Sequence, residues 1–189
     1  MLQLDLSTFP LLTTARLHLR AIALTDAPEL FFLRSDPGML TYLDKAPATS
    51  LEEVEQFIKT LKENEAACNG VTWVITQNGS DTLIGTIGYW WLLKEHYRAE
   101  IGYALHPAHQ GKGLMREAMD AVLGYGFGPM GLHSVEANVN PANAASIRLL
   151  ERAGFVREGY FRENYYYDGR FLDSAIYSLL VQKWHNRPV

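Results

Sequence analysis

The fold is decided by a short glycine-rich stretch, HPAHQGKGLM, at residues 106–115. A predicted strand over residues 97–105 precedes it, and a predicted helix begins at about Leu114. Because Gly111 and Gly113 allow the backbone to turn tightly, successive N–H groups and the helix N-terminus point at one place. Such a place binds anions, typically phosphate or pyrophosphate, although a strand-to-helix turn without a ligand shows the same pattern.

Two common phosphate-binding motifs do not match this turn. A P-loop needs a further upstream glycine and a Ser or Thr after the lysine, and Lys112 has neither. A dinucleotide-binding fingerprint needs a third glycine where Arg116 stands, and it normally follows the first strand of a βαβ unit. The sequence therefore disfavours both nucleotide-binding motifs. Because the dinucleotide-binding fingerprint is incomplete, it also disfavours a dinucleotide-dependent oxidoreductase.

In the rest of the chain, the periodicity of apolar residues predicts a mixed α+β domain with the element order βααβββαβαββ. Ser50 and Glu53 have the spacing of a capping box at the start of one helix. Asn140 is the predicted N-cap of a later helix, and Pro141 is its predicted first residue. The predicted strands are residues 16–22, 71–76, 82–92, 97–105, 134–139, 155–167 and 171–181.

Length, net charge and cysteine count limit the classes of protein to which the chain can belong. The chain has 189 residues, a net charge of −4 and one cysteine, Cys68. The length suits a single domain over residues 1–189, and the acidic balance disfavours a nucleic-acid or membrane partner. One cysteine excludes an intramolecular disulfide and suits a reducing compartment. With no signal peptide and no apolar run of about 18 residues, we expect a cytoplasmic protein.

Several blocks of the chain resemble one family. The first, QGKGLM at residues 110–115, is similar to the Q/R-x-x-G-x-G/A signature of the GNAT superfamily of acyl-CoA N-acyltransferases, with Met115 where Gly or Ala is usual. The second, residues 135–155, resembles the strand–helix pair that holds the other side of the CoA arm. Residues 158–179 and the opening TARLHLR at 14–20 are typical of the RimJ/RimL branch. The resemblance covers residues 13–181.

The resemblance implies a mostly antiparallel central sheet with helices on both faces, whose fourth and fifth strands splay apart. Acetyl-CoA, as co-substrate, enters between residues 97–105 and 134–139. Backbone groups of one strand pair with the pantetheine arm as an added strand would, and the turn's N–H groups hold the pyrophosphate. The expected acetyl-CoA contacts are Tyr103, Leu105, Gln110, Gly111, Lys112, Gly113, Leu114, Met115, Asn138 and Asn143.

The reaction that the resemblance implies is direct attack of a primary amine on the acetyl thioester, which needs a base and a partner for the departing thiolate. Glu100, on the strand beside the thioester, is the expected base through a water; the alternative is a carboxylate paired with Arg98 or another cation. Ser146, in the following helix, is expected to protonate or hydrogen-bond the thiolate; the alternatives are a helix-surface hydroxyl or a contact without proton transfer.

Other residues carry weaker hypotheses. Trp90-Trp91 and residues 165–167 line either an acceptor pocket or a dimer surface, so a homodimer is one of the expected states. Cys68 is interpreted as a spectator thiol. His106 and His109 lack a third ligand, so no metal is expected. The leading function is N-acetylation of a protein N-terminal or small-molecule amine; the alternative is a CoA-binding sensor or interaction domain without turnover.

Overall fold

One sheet of eight strands organises the computed structural model, which describes residues 1–186. The strands are β1 (Leu12–Thr13), β2 (Leu17–Ala21), β3 (Val71–Gln77), β4 (Gly85–Leu93), β5 (Arg98–Leu105), β6 (Ser134–Val139), β7 (Val156–Tyr167) and β8 (Arg170–Leu180). The helices are α1 (Ala27–Ser35), α2 (Pro37–Leu40), α3 (Leu51–Ala66), α4 (Leu114–Phe127), α5 (Ala144–Ala153) and α6 (Val181–His185). No helix within residues 1–186 combines the length and apolarity needed to cross a bilayer.

The strand order across the sheet is β1-β2-β3-β4-β5-β6-β8-β7. All neighbours are antiparallel except β5 and β6, which run parallel. The mostly antiparallel α+β sheet expected from the sequence is therefore confirmed. Strand β1 is missing from the sequence-based prediction because two residues are too few to show alternation. The strands expected as the fourth and fifth are consequently β5 and β6.

Helices cover both faces of this sheet, as predicted. On one face α1 and α3 bury an apolar cluster that includes Leu30, Val54 and Ile58 against Val74 of β3. On the other face α4 and α5 contribute to the larger cluster, which contains Met119 together with Trp73 and Ile75 of β3 and Ile87 and Tyr89 of β4. Each such side chain removed from water contributes about 1.5–3 kcal/mol, so both helix layers are fixed firmly to the strands.

The start of α3 confirms half of the predicted capping box. Ser50 Oγ accepts a hydrogen bond from the Glu53 N–H at 3.2 Å. The Glu53 carboxylate, however, accepts from the N–H of Thr49 at 2.9 Å instead of returning to Ser50. Two side-chain hydrogen bonds therefore stabilise the N-terminus of α3, as in a capping box. The Glu53 carboxylate reaches Thr49, one residue before the position that a capping box uses.

Helix α5 begins later than the sequence predicts. Its N-cap is Asn143, whose Oδ1 accepts from the Ser146 N–H at 3.0 Å. Asn140, the predicted cap, instead accepts from the Ala142 N–H at 3.0 Å and closes a turn ahead of the helix. Two asparagines thus compete for the cap, and a local pattern cannot decide which side chain finds a helical partner.

Candidate active site

Strands β5 and β6 pair over three residues and then separate. The paired residues are Arg98 with Ser134, Ala99 with Val135, and Glu100 with Glu136. Beyond them β5 continues along β4 to Leu105, and β6 continues along β8 to Val139. Each strand therefore keeps its outer neighbour while a gap opens in the middle of the sheet, at the strands expected to splay.

Peptide groups of β5 point into this gap. The N–H of His106 donates to the carbonyl of Ile84 at 2.8 Å, on the β4 side. Because peptide groups alternate in direction along a strand, those of Leu105 and Tyr103 face the β6 side. The Leu105 carbonyl accepts from Gln110 Nε2 at 2.8 Å, so the Gln110 side chain braces the strand end at the turn.

The glycine-rich turn has the conformation that its sequence predicts. Gly111 and Gly113 lie in the left-handed region at φ of +71° and +75°. Gly113 is the N-cap of α4 and brings no side chain over the helix end, so the first amides of α4 are available to an anion. The side chain of Met115 is buried in the larger cluster, which leaves only its backbone at the turn.

The ammonium group of Lys112 contacts the backbone of the turn. Its Nζ donates to the carbonyl of Ala108 at 2.7 Å, and its own carbonyl accepts from Arg16 Nη1 at 2.9 Å. Both contacts fix the backbone between the two glycines. The surface of the turn that an anion meets is therefore made mainly of peptide groups.

An ion pair that the sequence analysis missed fixes the start of α4. Glu117, in its first turn, accepts from the N–H and Nε of Arg16 at 2.9 and 2.6 Å. The Thr14 hydroxyl donates to the same carboxylate. These contacts join residues about a hundred positions apart in sequence, so no local pattern shows them.

Tyr103 and Ser146 meet on the α4–α5 face of the sheet. Their hydroxyl oxygens lie 2.7 Å apart. Burial raises the pKa of Tyr103 to about 12, against the smaller opposing effect of the bond to Ser146. Ser146 is held in place because its N–H is bonded to the Asn143 cap. The structure therefore gives Ser146 a phenol partner that the sequence analysis did not assign to it.

Glu100 lies where the gap opens, on the opposite face of the sheet from the Tyr103 side chain. Its cross-strand neighbours are Trp90 on β4 and Glu136 on β6. Arg98, considered as a partner of Glu100, forms its ion pair with Glu136 at 3.6 Å. The Glu100 carboxylate is thus left facing a cavity, beside a second carboxylate.

The surroundings of Glu100 make it a stronger base than a free carboxylate. Burial is the main cause that raises its pKa, and the negative charge of Glu136 adds to it. A hydrogen bond from the Trp90 side chain and the charges of Lys45 and Arg98 act in the other direction without cancelling the rise. A raised carboxyl pKa brings a base closer to the pH at which it must take a proton.

The Trp90 indole forms a platform next to Glu100. It lies across Gly102, where an added Cβ would come within 2.6 Å of Trp90 Cζ2. Gly102 is therefore required for the indole to lie flat on β5. The strand pairing shifts register between Trp90 and Leu93, and this bulge directs Trp91 outward, with 72% of the residue exposed.

A cavity of about 540 Å³ opens over the platform and Glu100. Its lining includes Tyr42, Asp44, Lys45, Trp90, Trp91, Glu100, Asn138, Tyr165 and Asp173. Lys45 and Trp90 also border a smaller, mainly apolar cavity between the sheet and helices α1 and α3. Of the aromatic residues predicted to line either an acceptor pocket or a dimer surface, Trp90, Trp91 and Tyr165 border this cavity, whereas Tyr166 and Tyr167 are not among its lining residues. Tyr42, Asp44 and Lys45, which precede α3, were not predicted to line a site, because no local sequence pattern there indicates one.

The predicted site residues thus fall into three neighbouring groups. Residues 110–115 form the turn, while Tyr103, Ser146 and the Asn143 cap lie on the α4–α5 face. Glu100 and Asn138 border the cavity on the other face. The gap between β5 and β6 lies between the last two groups, so a molecule that threads the gap reaches both.

Two remaining candidates stay outside these groups. Cys68 follows α3, and its Sγ contacts the carbonyl of Leu4 at 3.5 Å. His106 and His109 pack ring against ring, with centroids 5.9 Å apart. Over residues 1–186 the structure shows no group of three or more His, Cys, Asp or Glu side chains that could hold a metal ion.

The sequence profile described as "Acetyltransferase (GNAT) domain" matches residues 16–156. The uncharacterized N-acetyltransferase YoaA of Bacillus subtilis (strain 168) is 37% identical over 172 residues, which cover 91% of this chain and 97% of YoaA.

Solved structures agree in fold. Spermidine N-acetyltransferase from Vibrio cholerae, in complex with CoA and spermine, superimposes with a TM-score of 0.81 at 26% identity, covering 92% of this chain and 100% of the other. Ribosomal-protein-S5-alanine acetyltransferase from Vibrio fischeri gives a TM-score of 0.79 at 24% identity, covering 95% and 100%. At that identity the second likeness concerns the fold alone.

Proposed function

Because the chain belongs to the GNAT family of N-acetyltransferases, we propose that it transfers the acetyl group of acetyl-CoA to a primary amine that enters beside Glu100. Its homologues and structural neighbours include ribosomal-protein acetyltransferases of the RimJ/RimL type. The observation that carries the proposal is the position of Glu100, the last residue of β5 paired with β6, where the gap opens.

The gap and the turn fit the two ends of acetyl-CoA. Peptide groups of Tyr103 and Leu105 face the gap and match the amides of a pantetheine arm. The first amides of α4, capped by Gly113 without a side chain, match a pyrophosphate. The inward packing of Met115 supports this role, since it removes the bulk that the family signature avoids at this position. Acetyl-CoA supplies the activated acetyl thioester.

Glu100 takes the proton of the acceptor amine, directly or through a water. An ammonium group must lose a proton before its nitrogen can attack, and a carboxylate with a raised pKa accepts that proton more readily than an ordinary one. The ion pair between Arg98 and Glu136 supports this role, because it leaves Glu100 without a direct ion-pair partner from Arg98.

Tyr103 and Ser146 stabilise the departing thiolate. A serine hydroxyl alone is a poor acid, so its useful role is hydrogen bonding to the negative sulfur. With a pKa of about 12 the Tyr103 phenol keeps its proton at neutral pH and can donate it to Ser146 Oγ. Ser146 then directs its own proton toward the gap.

The cavity over Glu100 suits a cationic acceptor. Its rim carries the carboxylates of Asp44 and Asp173 and the aromatic rings of Trp90, Trp91 and Tyr165. Carboxylates attract an ammonium group, and aromatic faces bind it by cation–π contact. Small-molecule amines and protein N-termini both present such a group. The spermidine-acetylating and ribosomal-protein-acetylating relatives represent these two classes.

The proposal is tested by thiol release from acetyl-CoA with a panel of small amines and N-terminal peptides. We expect turnover with at least one acceptor, and a loss of about 10²–10⁴ in kcat/KM for Glu100→Gln, the usual contribution of a general base. Acetyl-CoA should raise the Tm while ATP and NADH do not. A raised Tm without turnover on any acceptor would favour the alternative, a CoA-binding sensor or interaction domain.

Three expectations from the sequence remain predictions beside this proposal. They are a single N-acetyltransferase domain over residues 1–189, a homodimer, and a cytoplasmic location. The exposed aromatic side chains of β7 and β8, among them Phe161, Tyr166 and Phe171, support the homodimer, since large apolar side chains favour contact with another surface.

A further inference from the structure

A lysine of the chain itself, Lys45, borders the cavity over Glu100. The Nζ of Lys45 lies 4.8 Å from the centre of the Trp90 ring, in a cation–π arrangement. Trp90 is also the cross-strand partner of Glu100, and its indole lies against Gly102, two residues beyond the end of the β5–β6 pairing. Lys45 is therefore an amine that borders the same cavity as the proposed base, Glu100, at which the β5–β6 pairing ends.

The backbone holds Lys45 in this position. Asp44, the preceding residue, has a left-handed conformation at φ of +47°. The Tyr165 hydroxyl, from the β7–β8 hairpin, donates to the Asp44 carbonyl at 3.5 Å. Two separate parts of the fold thus meet at this point, and both border the cavity.

The chemistry of Lys45 matches that of an acceptor. Burial and the positive charge of Arg34 lower the pKa of Lys45, although Glu100 opposes the change. A lowered pKa increases the fraction of neutral amine, which is the nucleophilic form. Lys59 and Lys62 offer a contrast, because both lie on α3 and neither borders the cavity over Glu100.

We propose that Lys45 is an acetylation site of the enzyme itself, modified within the same molecule when acetyl-CoA is bound. The inference rests on the proposed function, because it uses the same donor and the same base. A bond forms between Lys45 Nζ and the acetyl carbon, and the bond from that carbon to sulfur breaks. The sulfur leaves with the electron pair. Of the two protons that the ammonium loses, one ends on the thiolate and the other passes through Glu100 to solvent.

The experiment is a time course of the full-length protein with acetyl-CoA and no added amine, followed by peptide mass spectrometry. Lys59 and Lys62 serve as internal comparators for spontaneous acetylation. We expect Lys45 to react at least about tenfold faster than either, because proximity to the donor replaces a bimolecular encounter. The rate per molecule should not change when the protein is diluted about tenfold. Glu100→Gln should slow the reaction of Lys45 and leave Lys59 unchanged.

Labelling of Lys45 no faster than of Lys59 and Lys62, or a rate per molecule that grows with protein concentration, would overturn the inference. Lys45→Arg separates this failure from that of the proposed function, since arginine keeps the charge but is not nucleophilic at neutral pH. If this variant acetylates an added amine while wild-type Lys45 stays unmodified, the inference is wrong and the function holds. If Lys45 is modified but no added amine is, the inference holds and the proposed acceptor class is wrong.

Discussion

The hydroxyl oxygens of Tyr103 and Ser146 lie 2.7 Å apart, although one residue belongs to strand β5 and the other to helix α5. The contact joins the strand that borders the gap to the helix on its far side. Burial raises the pKa of the phenol to about 12, so Tyr103 is protonated at neutral pH, and either hydroxyl of the pair is able to donate to the other. We expect the two hydroxyls to act as one hydrogen-bonding unit toward the thiolate.

Tyr103→Phe should lower kcat about three- to tenfold, since one hydrogen bond of about 0.5–1.5 kcal/mol to the serine is lost. Steady-state kinetics with varied acetyl-CoA and acceptor measure the change. Ser146→Ala is the matched variant, and the double variant should be no slower than Ser146→Ala alone, because the two residues act together. Effects that multiply in the double variant would show that they act separately.

Glu136→Gln should shift the acid limb of the kcat/KM pH profile to lower pH. As the proposed base, Glu100 must be unprotonated, so activity should rise as pH rises through its pKa. Burial raises that pKa first, and the charge of Glu136 raises it further. Removing this charge, and with it the ion pair that occupies Arg98, lowers the pKa. Glu151→Gln, an exposed carboxylate on α5, is the control that should leave the limb in place. If Glu136→Gln leaves the acid limb at the same pH, that limb does not report the protonation of Glu100.

Gly113→Ala should raise the KM for acetyl-CoA several-fold. The left-handed φ of +75° costs about 1–2 kcal/mol for alanine, so relaxation turns the first amides of α4 away from the anion. Gly79→Ala is the matched control, because Gly79 has a φ of +82° in the turn between β3 and β4 with open space around it. Thermal melts should show similar destabilisation of both variants. A KM raised equally by both would argue against a specific role for the turn.

Gly102→Ala should raise the KM for the acceptor and leave the KM for acetyl-CoA nearly unchanged. The new Cβ would lie 2.6 Å from Trp90 Cζ2, so the indole platform must move. Kinetics in a Trp90→Ala background provide the control, since there the added methyl group has no ring to displace. A Gly102→Ala effect of the same size in that background would place its cause outside the platform.

Local patterns predicted the elements that are governed by local rules. The glycines at 111 and 113, the Ser50 cap and the strand Ser134–Val139 all depend on neighbours within a few residues, and the structure has them as predicted. The cap of α5 was placed wrongly at Asn140, because Asn143 competes three residues later and only the helix position decides between them.

Contacts between distant segments could not be predicted in this way. Tyr103 and Ser146 are 43 residues apart, and Arg16 and Glu117 are 101 apart. Lys45 reaches Trp90 from a segment with no periodicity of its own. These contacts depend on how the sheet twists and how helices pack on it, which residue spacing does not encode.

The short pairing of β5 with β6 leaves the rest of β5 without a strand partner on its β6 side. Residues 98–100 and 134–136 form the ladder between the two halves of the sheet, and a pantetheine arm along the rest of β5 would serve as a temporary extra strand. Amide hydrogens of Tyr103 and Leu105 should then exchange with solvent more slowly once acetyl-CoA is added. The donor substrate would in this way complete the sheet that binds it.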